Sequence, residues 1–133
     1  MIKNKISETK PHDKNVLINY IVAGIREIKG LDIVDVNISS IKNAICDNFI
    51  ICHGTSRKHV DAIADSVEQM VWKKTGEKPW HKEGFQNAEW VLLDYVDVVV
   101  HIFNDANRKF YNLEGLWADA TINHFDPLTE SKQ

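Results

Sequence analysis

Within the segment EWVLLDYVDVVVHIF, Glu89 to Phe103, two carboxylates stand three residues apart at Asp94 and Asp97, with Trp90 before them and His101 after. Paired acids beside an imidazole are the raw material of a general acid–base pair or a metal site. A metal needs further ligands, and His81 and Glu83 of HKE are the nearest in sequence. The H-x-E that opens a zinc deaminase site lacks its P-C-x-x-C here, and no two of the six histidines form an H-x-x-x-H pair. Nucleophiles fare no better. Ser56 follows Gly54 as in a nucleophile elbow, but the second glycine is missing and the serine suits a helix N-cap. Cys52 and His53 are neighbours on an expected strand, so their side chains point to opposite faces. No catalytic constellation survives, so recognition without turnover is the leading reading, with a metal-dependent nucleotide-handling enzyme as the alternative.

The same segment must be a hairpin if its apolar residues are to be covered. Taking Tyr95 and Val96 as the turn sets Asp94 opposite Asp97, Leu92 opposite Val99 and Trp90 opposite His101. One face then carries Val91, Leu93, Val98, Val100 and Ile102, all aliphatic, while Trp90, Asp94, Asp97 and His101 share the other. Like charges on paired positions are unfavourable. Two readings accommodate them: an exposed hairpin end screened by water, or an acidic rim beside an exposed indole, as protein interfaces use.

The elements around this hairpin follow from periodicity. Val16, Leu17, Tyr20, Ile21, Ile25 and Ile28 form one helical stripe, with Asp13 as N-cap and Gly30 as stop. LDIVDVNIS alternates, placing Val34, Val36 and Ile38 on one side and Ile33, Asp35 and Asn37 on the other. NFIICHG is a continuous apolar run, expected to be a central strand buried on both faces. Ser56 caps a second helix with the stripe Val60, Ile63, Ala64, Val67 and Val71, ended by Gly76 and Pro79. WHKEGF is a weak strand. A last helix is expected from Asn104 through ANRKFYNLEGLWADA, with Phe110, Leu113, Leu116, Trp117 and Ala120 inward. Arg108, Tyr111 and Glu114 recur on a separate face, as a solvated surface or a structural polar network, and Gly115 suggests a close backbone approach. Helices interspersed with strands predict the α/β class: a mixed β-sheet with packed helices. The expected boundaries are a flexible leader over 1–12, a single domain over 13–121 and a fraying tail over 122–133.

At 133 residues, 44% hydrophobic and 26% charged, the chain fits one core. Its formal charge of −3 offers no general basic footprint for nucleic acid and favours a basic protein partner. The start MIKNKISETKPHDK has no apolar signal region and no run is long enough to span a bilayer, so a cytoplasmic protein is expected. Cys46 and Cys52 are too few and too spaced for a disulfide scaffold and are expected as reduced thiols.

From about Val16 to Trp117 the chain resembles the ribosomal silencing factor family, RsfS, also called Iojap. The resemblance rests on DNFIICHGTSRKHVDAIAD, on Glu83 and Gly84, on EWVLLDYVDVVVHIF and on RKFYNLEGLW, in that order. It implies a nucleotidyltransferase-like fold without catalytic residues. It also implies docking on the fourteenth protein of the large ribosomal subunit, obstruction of subunit joining, and repression of translation under nutrient limitation. The resemblance places Trp90 at the ribosomal contact, with Glu83, Asp94, Tyr95, Asp97 and His101 around it, and leaves room for a homodimer off the ribosome. No metal and no cofactor are expected. The carboxylate arrangement agrees, since nucleotidyl transfer commonly uses Asp-x-Asp or Asp-x-Glu on one strand. Val96 departs from the pattern, a glycine often standing before Asp97. The hairpin register is therefore open to a slip.

Overall fold

A computed structural model describes residues 13–126. Helix α1 (Lys14–Glu27) begins where the Asp13 carboxylate accepts the amides of Asn15 and Val16, as expected of an N-cap. Strands β1 (Leu31–Asn37) and β2 (Asn48–Gly54) follow, then α2 (Arg57–Thr75), capped by the Ser56 hydroxyl at the His59 amide. Three strands come next, β3 (His81–Glu83), β4 (Trp90–Asp94) and β5 (Val98–Asn104). The chain continues through α3 (Asp105–Tyr111), α4 (Leu113–Leu116) and β6 (Thr121–His124). The six strands form one sheet in the order β3-β4-β5-β2-β1-β6. Only β2 and β5 pair in parallel, which makes the sheet mixed and the fold α/β. No helix among the described residues is long and apolar enough to cross a membrane.

β2 is buried along its whole length because it lies between β5 and β1 and is covered on both faces. On one face, α1 and α2 cover Ile50 and Cys52 of β2 together with Val91, Leu93, Val98, Val100 and Ile102, the aliphatic set expected of the hairpin. The two helices approach closely at Gly24, where a Cβ would lie 2.8 Å from Val67 Cα, and the Ser66 hydroxyl donates to the Gly24 carbonyl at 2.7 Å. On the other face Val34, Val36, Phe49, Ile51, Val99 and Phe103 lie beneath Ile38, Cys46 and Leu113.

Two expectations for the C-terminal part give way. The last helix is two short ones, since Asn112 adopts the left-handed conformation (φ 44, ψ 55) that asparagine tolerates better than most residues. The turn points Phe110 and Leu116 into solvent, 79% and 74% exposed, while Leu113 stays inward. The close approach at Gly115 is to the Asn112 side chain, which a Cβ there would overlap. The expected tail is ordered as far as β6, because Thr121–His124 satisfies the outer edge of β1 by antiparallel pairing. The expected leader, 1–12, and residues 127–133 lie outside the described residues.

Candidate functional site

The β4–β5 hairpin pairs in a register two residues away from the expected one: Trp90 faces Phe103, Leu92 faces His101 and Asp94 faces Val99. The reason is the turn. The Asp97 amide donates to the Tyr95 carbonyl at 3.0 Å across Val96, which takes φ 78. This is a three-residue turn of the positive-φ kind, rare and strained for a β-branched residue. A shift of two preserves the alternation, so the division between faces stands while the pairs change. Asp94 and Asp97 are therefore not cross-strand partners. The Asp94 carboxylate accepts the Val96 amide at 2.7 Å and so helps to hold the turn. The carbonyl of exposed Asp97 accepts the amides of Asp47 and Asn48 at 2.8 and 3.2 Å.

Trp90 is half-buried rather than an exposed indole. Its ring stacks on Phe103 at 4.9 Å between centroids and lies against Tyr111 at 4.8 Å. Its indole N–H donates to Nδ1 of His101 at 2.9 Å. His101 is only 4% exposed, and burial pushes its imidazole down to about 3, so the ring is neutral and accepts from the indole. With Nδ1 accepting, the proton sits on Nε2, which is buried and has no hydrogen-bond partner among the described residues. Phe49 meets the imidazole edge-on at 4.7 Å. His101 thus lies beneath the surface and orients Trp90 rather than presenting itself to a partner.

Tyr95, expected at the contact, is on the opposite side. It is buried against the helix layer, and burial, then the charges of Glu68 and Glu77, raise its phenol well above the usual range. Glu83 shares the Trp90 side, since it pairs with Leu92, and its carboxylate lies 2.6 Å from the His81 ring. The strand turns sharply at Gly84 (φ 89), where a Cβ would overlap the Trp90 carbonyl oxygen. Trp90, Asp94, Asp97 and Glu83 thus belong to one side of the β3–β4–β5 edge, with His101 beneath and Tyr95 behind.

Of the two readings open for Arg108, Tyr111 and Glu114, the structural polar network holds for Arg108 and Glu114, while Tyr111 lies against Trp90, a contact that sequence reasoning missed. Arg108 donates to Glu114 Oε2 at 2.7 Å, to the Asp32 carbonyl at 2.7 Å, and to His53 Nδ1 at 3.0 Å. On a continuous helix residues six apart are separated by about 120° around the axis and about 9 Å along it, so the break at Asn112 is what brings Arg108 and Glu114 together. Burial foremost, then the Arg108 charge, lowers the His53 pKa. Both cysteines are free and buried, and burial pushes each thiol up to about 12, which makes them unreactive. Among the described residues no three His, Cys, Asp or Glu side chains are grouped to hold a metal ion.

The profile described as "Ribosomal silencing factor during starvation" matches residues 10–133. The ribosomal silencing factor RsfS of Halalkalibacterium halodurans is 40% identical over 104 residues, covering 78% of this chain and 87% of that protein. The RsfS of Bacillus subtilis is 42% identical over 95 residues, covering 71% and 79%. A crystal structure of a Chromobacterium violaceum protein matches with a TM-score of 0.73 at 33% identity, over 78% of this chain and 85% of that one. The chain belongs to the RsfS/Iojap family of ribosomal silencing factors.

Proposed function

We propose that this chain represses translation under nutrient limitation by occupying the large ribosomal subunit and excluding the small one, without catalysis. The docking face is the Trp90 side of the β3–β4–β5 edge, and the partner is a basic protein of the large subunit, the fourteenth. The observation that carries this reading is the state of Trp90: its orientation is fixed by His101, Phe103 and Tyr111, yet it is not fully covered. A large aromatic held rigid at an open surface is the typical anchor of a protein interface. Exposed Asp97 and Glu83 and half-buried Asp94 give its margin a negative charge suited to a basic partner.

Occupying a surface requires binding alone, so neither nucleotide nor cofactor takes part. The competing reading is metal-dependent nucleotide chemistry on the same scaffold, which needs two or three carboxylates clamping metal ions. The test is order of addition with purified subunits and no nucleotide. The protein should lower the fraction of joined ribosomes in proportion to large subunits occupied, and more when preincubated with large subunits than when added after joining. Inhibition at far below one copy per large subunit, or pyrophosphate release from nucleoside triphosphates with magnesium, would instead identify an enzyme.

A further inference from the structure

We propose that Arg108 is a positioning residue for the docking face, holding the α3–α4 corner so that Tyr111 lies against Trp90 and forms part of the surface presented to the ribosomal partner. The inference rests on the docking reading above and adds to it a residue outside the sheet and the means of placing it.

Three observations converge. First, the aromatic rings run outward in sequence: Trp90 touches Tyr111 at 4.8 Å, and Tyr111 meets Phe110 at 5.1 Å, an exposed ring on the same helix. Tyr111 is itself 41% exposed, so the outer boundary of the Trp90 site is made by α3. Second, none of the seven residues of α3 belongs to the hydrophobic core, so the core holds it weakly. Third, Arg108 lies one turn before Tyr111 and spends its guanidinium on ties to other elements. It binds the Glu114 carboxylate after the break, the Leu31 and Asp32 carbonyls of the β1 bulge, and the His53 ring on β2. Its side chain is largely buried, so its reach is taken up within the molecule. A planar fork that satisfies several acceptors at once cannot be replaced by the single ammonium of lysine.

The test is a double-mutant cycle in docking, read as the Kd for isolated large ribosomal subunits, on Arg108→Lys, Tyr111→Ala and the double variant. Lysine keeps the charge, so long-range attraction to the partner is unchanged. If Arg108 acts through Tyr111, each single change should weaken docking about tenfold and the double no further than Tyr111→Ala alone. Losses that multiply to about a hundredfold in the double overturn the inference, as does normal docking by either single variant. Glu114→Gln should behave as Arg108→Lys does, and stands in for it should the latter fail to fold; thermal melts decide which is used. Trp90→Ala separates the two levels. If it docks normally, the face is wrong; if it docks weakly while Arg108 and Tyr111 are independent, only the positioning role falls.

Discussion

The indole N–H of Trp90 donates to Nδ1 of His101 across the β4–β5 pair at 2.9 Å, and it is the only hydrogen bond this buried imidazole makes through its side chain among the described residues. Trp90→Phe keeps most of the ring packing and deletes the donor, leaving His101 Nδ1 unpaired. It should cost about 1–3 kcal/mol in urea denaturation. Trp90→Ala should cost more, because contact with Phe103 and Tyr111 is lost as well, and should weaken docking about tenfold or more. A Trp90→Phe protein as stable as the parent would mean that the bond contributes nothing net.

Acid should expose the same pair. The His101 pKa is pushed down to about 3 in the folded protein, against 6.5 in an unperturbed chain. Between these values the unfolded state binds a proton that the folded state refuses, so this contribution to stability is complete above about 6.5 and falls with pH down to about 3. The slope is at most about 1.4 kcal/mol per pH unit. His53 is shifted in the same direction and adds to it. His101→Gln, whose side-chain oxygen still accepts a hydrogen bond, should flatten the dependence of unfolding free energy on pH in this window; an unchanged slope would assign acid sensitivity elsewhere.

The strained turn predicts a stabilising substitution. Val96 holds φ 78, which costs a β-branched residue about 1–2 kcal/mol that glycine does not incur, offset in part by the greater chain entropy of glycine when unfolded. Val96→Gly should therefore raise stability by about 1 kcal/mol, seen as a higher urea midpoint at unchanged slope. A lower midpoint would show that the side chain contributes more than its backbone costs.

The division between what was and was not readable in the chain follows the range of the interactions. Helix caps at Asp13 and Ser56, the stripe of α2 and the fully buried β2 depend on neighbours within a turn or a strand and appear as expected, while the buried face of α1 keeps Leu17, Ile21 and Ile25 of its expected stripe and adds Ile18 and Val22. The faces of the hairpin were also readable, because a period of two survives a slip of two. Its register was not, since it hangs on one residue adopting an unusual φ at Val96. Asn112 hides the other miss: a single left-handed residue inside a helical pattern turns Phe110 and Leu116 outward and lets Arg108 meet Glu114. β6 is set by the free edge of β1, about 85 residues earlier in the chain, which no local pattern announces.

The negative margin makes an electrostatic prediction. Asp94→Lys combined with Asp97→Lys should weaken docking more than Asp94→Asn or Asp97→Asn, since a basic partner would then meet like charge, and parent docking should weaken as salt rises. Part of the Asp94→Lys effect will be local, because its carboxylate holds the Val96 amide, so thermal melts must accompany the binding curves. Unchanged affinity in the double lysine protein would remove the acidic margin from the contact.

Cosedimentation of the protein with isolated large and small ribosomal subunits, alongside the Trp90→Ala variant, bears most directly on the central claim. The parent should travel with the large subunit alone, reaching one copy per particle without nucleotide, and the variant should be largely left behind while melting as a folded protein. Sedimentation with the small subunit, or a folded Trp90→Ala variant that binds large subunits as the parent does, would contradict it.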